Sequence, residues 1–454
     1  MNESTLSTEL KRDLISLFRQ NTGALETGSG RLLNLFREQA FHDFDRLGIP
    51  STKNEAYRYT SLEKYFQGNY EMEFNANPFK IDIGSVFKCD VPELNTNVVL
   101  VLNGFYYSGN HTGQLPEGVV VCSLNEASVR FPDVFHAHYA HYADTSADGL
   151  VALNTLFAQD GVFVYIPRNT IMEKPLQIIN LSHSFKNLRI TRRNLIVVEE
   201  NSVANIVVCD HTLCNRSYLT NSLTEIFVGK NAGIAFDRLQ NENSLSTQIN
   251  NLFIHQLKNS RFNGNSISLH GGLIRNNFYV LQSEPNCETN LNGLFLCDDK
   301  QHVANYVLVD HASPNGTSNQ LFKGILDNDA TGSFNGKILV RKDAQKIQAY
   351  QKNNNLLLSS AARMNIKPHL EIYADDVKCS HGATVGQLDN ESMFYLRSRG
   401  IGEKEARHLL MYAFANEIVS RISVPILKDR IIELVDKRLR GELSKCNNCD
   451  IHCG

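Results

Sequence analysis

Short apolar runs between residues 252 and 340 decide the fold of this chain. They read LFI at 252–254, FYVL at 278–281, LFL at 294–296, YVLV at 306–309 and KILV at 337–340. Comparable runs occur earlier, with VVLVL at 98–102, VFVYI at 162–166, LIVV at 195–198 and IFV at 226–228. Gly and Asn residues separate the runs, and few convincing helical segments lie between them. The pattern therefore predicts a mainly β core built from many short strands.

A stack of coils accounts for so many short strands more economically than a single sandwich does. In a parallel β-helix each strand pairs with the coils above and below it, and alternate apolar side chains fill the interior. Asn-rich turns fit such a stack. The sequence has no strict period, so from pattern alone a pair of β-sandwiches or a barrel remains an alternative.

Helical patterns flank the β-rich region. Leu10, Leu14, Leu17 and Phe18 follow the spacing of an amphipathic helix, and such spacing returns after Gly386. We predict an N-terminal helical domain over residues 1–80, a β-helix core over 81–388, a C-terminal helical domain over 389–440 and a Cys-rich flexible tail over 441–454. Because the ends of a coil stack expose unpaired backbone groups, we expect helices to cover both ends.

Composition excludes several classes of function. The 454 residues include 45 Lys and Arg against 48 Asp and Glu, a formal net charge of −3. This balance argues against a strongly electropositive surface for nucleic acid. The N-terminus lacks the pattern of a secretory signal, and no apolar run is long enough to cross a bilayer. We expect a cytoplasmic protein without a membrane segment, in which Cys122, Cys209 and Cys297 are buried core residues.

One cysteine and one histidine, Cys379 and His381, lie two positions apart in an extended run. Alternate side chains of a strand share a face, so their Cα atoms should lie roughly 6.5–7 Å apart. Thiolate and imidazole are ligands that iron, iron–sulfur units and zinc accept, but two ligands leave a coordination shell incomplete. From these residues alone, a buried thiol beside a hydrogen-bonded histidine, or a nucleophilic Cys–His pair, remains an alternative.

The C-terminal tail, KCNNCDIHCG, carries a second group of soft ligands. One short segment supplies four such ligands: Cys446, Cys449, His452 and Cys453. This set predicts an accessory iron or zinc site. A disordered or redox-labile tail is the alternative, because a mobile terminus binds metal only at an ordering cost.

Four longer motifs link the chain to a known family. They are NEAYRYTSL at 54–62, FKGILDNDATGSFNGKILV at 322–340, QKIQAYQKNNNLLLS at 345–359 and KPHLEIYADD at 367–376. With them the chain resembles the SufB/SufD family of iron–sulfur cluster assembly proteins. It is most similar to the SufD branch, because SufB-like chains tend to carry a glutamate where this chain has Gly382. Tyr57 departs from the tryptophan more usual in the first motif.

The resemblance implies a right-handed parallel β-helix flanked by helical domains, in a non-ATPase scaffold subunit of a SufB–SufC–SufD complex. A SufB-like paralogue would pair through its own β-helix, and Cys379 and His381 would share a transient iron–sulfur cluster with it. A SufC-like ATPase would dock on the C-terminal helices. Five polar residues there are candidate partner-binding residues: Arg397, Ser398, Arg399, Glu403 and Arg407. In isolation, a homodimer is a further expectation.

The chain should not bind or hydrolyse a nucleotide itself. Its nearest approach to a phosphate loop runs from Gly332 to Ile338, with three residues between the glycines instead of four and Ile in place of the Ser or Thr that binds magnesium. The sequence does not decide whether a flavin is used. Two rival functions remain: a carbohydrate-active β-helix enzyme, and a purely structural partner that provides no cluster ligand.

Overall fold

Two β-sheets form the centre of the fold, seen in a computed structural model that describes residues 3–76, 96–112 and 115–442. The first sheet contains Glu71–Met72 (β1), Val120–Ser123 (β4), Gly161–Ile166 (β5), Leu188–Val198 (β7), Tyr218–Val228 (β9), Thr247–Gln256 (β11), Leu273–Gln282 (β13), His302–His311 (β15), Thr331–Val340 (β17) and Arg363–Ile372 (β19). The second contains Asn97–Leu102 (β2), Phe105–Thr112 (β3), Leu176–Ser182 (β6), Val203–Thr212 (β8), Gly233–Asn241 (β10), Arg261–His270 (β12), Glu288–Cys297 (β14), Thr317–Leu326 (β16), Ile347–Leu357 (β18) and Val377–Gly386 (β20).

From β5 onward, successive strands alternate between the two sheets, and each pairs in parallel with the strand two positions along the chain. This is a β-solenoid, so the predicted coil stack is confirmed and the sandwich and barrel alternatives are wrong. The residue offset between neighbouring coils varies from 26 between β11 and β13 to 32 between β17 and β19. That variation in turn length explains why the sequence shows no strict period.

Alternate residues of both sheets point into the solenoid and fill it. The interior core includes Val164, Ile196, Ile226, Phe262 and Phe334, all fully buried. Because the strands stack in register, like side chains lie above one another, and each coil buries the apolar surface of the coil below it.

Asparagines form a ladder along one corner of the solenoid. Asn201, Asn231, Asn259 and Asn286 all adopt positive φ values, between 56° and 63°. Each donates its side-chain amide to the asparagine of the preceding coil, at 2.9 to 3.0 Å. Asn tolerates the left-handed conformation better than most residues, and its short amide reaches the next coil. The Asn-rich turns of the sequence therefore have a structural cause.

Helices cover the outer faces of the two sheets. Those before the solenoid and in its first turns are Glu3–Gly28 (α1), Arg31–Asn34 (α2), Arg37–Leu47 (α3), Glu63–Phe66 (α4), Leu124–Arg130 (α5), Pro132–His138 (α6) and Gly149–Phe157 (α7), with a 3₁₀ turn at Glu55–Tyr57. Those after it are Asn390–Ser398 (α8), Glu403–Val419 (α9) and Pro425–Arg440 (α10). The sequence analysis did not predict α5, α6 and α7. None of the described helices is long and apolar enough to span a bilayer.

None of the described helices closes the C-terminal end of the stack, so the expectation that helices would cover both ends is wrong there for the described part of the chain. Residues of α1, α3 and α7 share a core with Leu219, Ile249 and Leu273, on the outer face of the first sheet. Residues of α9 and α10 share a core with the outer face of the second sheet. An amphipathic helix buries its apolar stripe most fully on a broad sheet face, and the outer faces here supply that surface.

Two ion pairs attach the C-terminal helices to the solenoid. Arg438 of α10 binds both carboxylate oxygens of Asp298, at 2.6 and 2.7 Å. Lys323 on β16 pairs with Glu417 of α9 and donates to the backbone carbonyl of Phe414 at 3.1 Å. The predicted boundary at residues 80 and 81 and most of the tail lie outside the described residues.

A buried ion pair attaches the helical segment before β5 to the first sheet. Arg193 and Glu225 are fully buried and lie 2.5 Å apart. Glu225 also accepts hydrogen bonds from the backbone amides of Ala140, Tyr142 and Ala143, at 2.9 to 3.1 Å. The carboxylate therefore holds the end of the α6 segment against the sheet, and the guanidinium neutralises its charge.

Replacing Arg193 by Met should destabilise the protein by about 3–5 kcal/mol, because the Glu225 carboxylate would stay buried without its partner. Urea unfolding followed by circular dichroism measures this change. Lys186→Met is the control, since the Lys186–Glu71 pair is exposed and should contribute less than about 1 kcal/mol. Equal effects of the two substitutions would show that the buried pair does not attach this segment.

Candidate functional site

The final coil of the solenoid carries Cys379 and His381. In the register of β18 and β20, Cys379 lies above Ala349 and His381 lies above Gln351. Ala349 and Gln351 are buried and face the interior. Cys379 and His381 are therefore interior-facing residues of the last coil, and the structure places both on the same face of β20.

No described coil lies above β19 and β20, so the inner face of this coil is open. His381 is exposed and Cys379 is half-buried. The same inner face includes apolar side chains whose counterparts in the coil below are buried: Met364, Ile366, Leu370, Ile372, Ala383 and Val385. Of these, Ile372 is 38% and Val385 47% exposed. In the sequence, this apolar face is indicated only by the alternation of apolar and polar residues in KPHLEIYADD.

The environment of Cys379 favours the protonated thiol over the thiolate. Partial burial raises the pKa of Cys379, and a hydrogen bond with the backbone of Ala349 acts in the opposite direction. The thiol packs against the small apolar cluster that includes Ile347 and Leu370. A metal cation would reverse this balance, because a coordinating thiol loses its proton.

The described residues offer no complete metal shell. They contain no group of three or more His, Cys, Asp or Glu side chains placed to hold a metal ion. Within the same residues, the structure gives His381 no hydrogen-bond partner. Cys446, Cys449, His452 and Cys453 lie outside the described residues, so the tail site stays a prediction. Cys379 and His381 thus form an open pair that can supply two ligands.

Four of the five predicted partner-binding residues line one crevice. Arg397, Ser398, Glu403 and Arg407 border a cavity of 720 Å³ between the C-terminal helices and the turn after β18. Arg397 and Glu403 approach to 3.7 Å across it. Arg399 is not part of the lining, and its guanidinium lies 5.2 Å from the centre of the Tyr395 ring.

Helix α8, next to this crevice, has no buried residue. Phe394 is 75% and Tyr395 57% exposed, and both belong to the run FYLRSRGI. A helix that exposes two aromatic side chains and buries nothing presents a surface suited to a protein partner. Phe394 and Tyr395 were not among the partner-binding residues predicted from the sequence, which are all charged or hydroxyl-bearing.

Native-state alkylation should label Cys379 before Cys122, Cys209 and Cys297, because those three are buried and Cys379 is not. The raised pKa predicts that the rate at Cys379 keeps rising with pH beyond about 8.5, where a free cysteine levels off. Peptide mass spectrometry after iodoacetamide pulses measures both effects, and a urea-unfolded sample controls for intrinsic reactivity. Labelling of Cys297 as fast as Cys379 would contradict this description.

Comparison with known proteins gives the family. The sequence-family model described as "SUF system FeS cluster assembly, SufBD core domain" matches residues 181–414. The family model described as "SufBD protein N-terminal region" matches residues 8–178. A SufBD family protein of Synechocystis sp. is 30% identical over 452 residues, 96% of this chain and 98% of that protein. The iron–sulfur cluster assembly protein SufD of Escherichia coli is 27% identical over 409 residues, 89% and 92% of the two chains. SufD of Bacillus subtilis is 26% identical over 301 residues, 64% and 67% of the two chains. The chain therefore belongs to the SufBD family of SUF-system iron–sulfur cluster assembly proteins.

Proposed function

We propose that this chain is a non-ATPase scaffold subunit that pairs with a SufB-like paralogue and shares a nascent iron–sulfur cluster with it. The observation that carries the proposal is the open inner face of the last coil, on which Cys379 and His381 lie side by side. The cluster is the cargo of the assembly reaction. The cluster would stay at this face only transiently, so the ligands there must be able both to bind it and to release it.

The open end of the solenoid supports a paralogue as the partner. The outer edges of β19 and β20 carry unpaired backbone groups, which are templates for pairing with another chain. Half-exposed apolar side chains on the inner face add a hydrophobic surface to be covered. A second solenoid end matches both features, because it offers strand edges and an apolar interior of its own. In isolation, the same end would favour a homodimer.

The ligand count supports a shared cluster. Iron–sulfur units take thiolate and imidazole ligands, and Cys379 with His381 fills half of a tetrahedral shell or less. Since the described residues offer no third ligand beside them, the remaining ligands would come from the paralogue. A cluster held in this way would assemble only when the two chains meet.

Helix α8 and its crevice are the proposed docking surface for a SufC-like ATPase. Phe394 and Tyr395 would provide the apolar anchor, and Arg397, Glu403 and Arg407 the polar rim. The location close to the end of β20 would allow movement of the ATPase to reach the cluster face. ATP hydrolysis would belong to that partner, and the cytoplasm stays the predicted place of action.

Anaerobic co-purification with a SufB-like and a SufC-like protein tests the proposal. Cys379→Ala and His381→Ala should each leave the complex assembled and lower its iron and sulfide content at least about tenfold, since loss of a ligand costs no less than loss of its supporting residue. Visible absorption of the cluster should fall in parallel.

Two control variants accompany this experiment. Ser380→Ala changes the residue between the two ligands, on the opposite face of β20, and should keep a normal cluster. Phe394→Ser should lose the ATPase and retain the paralogue. Normal iron and sulfide in assembled Cys379→Ala and His381→Ala complexes would refute the shared site and leave the chain a purely structural partner.

A further inference from the structure

The interior residues that lie below His381, one in each coil of the second sheet, form a column. This column changes from apolar to polar near the C-terminal end of the solenoid. Register pairs His381 with Gln351 on β18, and Gln351 with Gln320 on β16. In the lower coils the same column is apolar, with Leu291, Gly264, Phe236 and Ile206 in succession. Two buried amides thus replace the apolar core only in the two coils directly beneath His381.

Gln351 is held rigidly in this position. It is 1% exposed, and its Nε2 donates to Oε1 of Gln320 at 2.7 Å. Across the interior, a Cβ built on Gly336 would lie 2.3 Å from the same Nε2, so the amide occupies space that only a glycine leaves free. The other amide atom of Gln351, Oε1, is buried and has no hydrogen-bond partner. A buried acceptor without a partner costs free energy, so a group of this kind in a native structure needs an explanation.

Several polar side chains that stack in register in this solenoid bond to one another. On the same two strands, Thr384 donates to Oδ1 of Asn354 at 3.0 Å. In the interior of earlier coils, Asn250 donates to Oδ1 of Asn276 at 3.1 Å. His381 above Gln351 is an equivalent stacked pair, in which the upper residue is an exposed ring with a donor and the lower residue is an acceptor.

We propose, on the basis of the proposed function, that Gln351 is the positioning residue of His381. The structure shows no hydrogen bond between the two side chains; the exposed His381 ring turns about its side-chain torsions so that one ring N–H donates to the Gln351 Oε1, both in solution and in the complex with the paralogue. This bond fixes one neutral tautomer and orients the ring so that the second nitrogen presents its lone pair at the open face. Gln320 holds the Gln351 amide in the orientation that leaves Oε1 free.

An uncharged acceptor suits this position. A carboxylate in place of Gln351 would be buried with only the histidine to compensate its charge, and burial of an isolated charge is costly. The amide supplies a fixed acceptor at lower cost.

The imidazole ¹⁵N chemical shifts of the full chain, labelled at histidine, test the proposal without any cluster. His381 is assigned from the signal lost in His381→Ala. We expect a single neutral tautomer for His381 in the native chain. Gln351→Met, which removes the acceptor, should produce the tautomer mixture of free imidazole.

The control is Gln282→Met. Gln282 is also fully buried with an unpartnered Oε1, but it lies below His311 rather than His381. It should leave the His381 signal unchanged. If Gln351→Met is too unstable to study, Gln351→Asn, whose acceptor stops one methylene short, should give the same mixture. An unaltered His381 tautomer in folded Gln351→Met or Gln351→Asn would overturn the proposal.

Cluster content separates this proposal from the proposed function. In the anaerobic complex, Gln351→Met should lower iron retention by about 10–100-fold, the usual effect of removing a residue that supports a metal-bound histidine. If the tautomer changes while His381→Ala complexes keep their iron, the positioning contact stands and the shared cluster site fails.

Discussion

In-register stacking of parallel coils is the constraint on which the rest of this structure depends. Each strand satisfies its backbone groups through the coil above and the coil below, and each interior side chain is covered by its equivalent in the next coil. Among the described strands, those of the final coil have a neighbour on one side only. Its strand edges and its inner face therefore stay open, and that is where Cys379 and His381 lie.

The same constraint separates what the sequence could predict from what it could not. Period-two alternation placed Cys379 and His381 on one face, and Asn-rich turns indicated the coil stack, because both signals are local. The proposed support of His381 by Gln351 depends on residues 30 positions apart, and coil offsets that vary from 26 to 32 hide such pairs from any fixed period. The SufBD family assignment came from the longer motifs.

Helix placement was the clearest error of the sequence reasoning. Amphipathic spacing identified the flanking helices but not the surface they cover, because an apolar stripe does not specify its partner. The structure puts α9 and α10 on the outer face of the second sheet, fixed by Arg438 and Lys323. The open end follows from this arrangement, and so does the exposed helix α8 beside it.

Hydrogen–deuterium exchange on the backbone amides of β19 and β20 tests the central claim most directly. In the isolated chain, held monomeric by dilution, these edge amides should exchange much faster than those of β9 and β11, which are paired on both sides. Addition of the SufB-like paralogue should slow exchange in β19 and β20 and leave β9 and β11 unchanged. Unaltered exchange of the terminal strands in an assembled complex would contradict an interface at the open end of the solenoid.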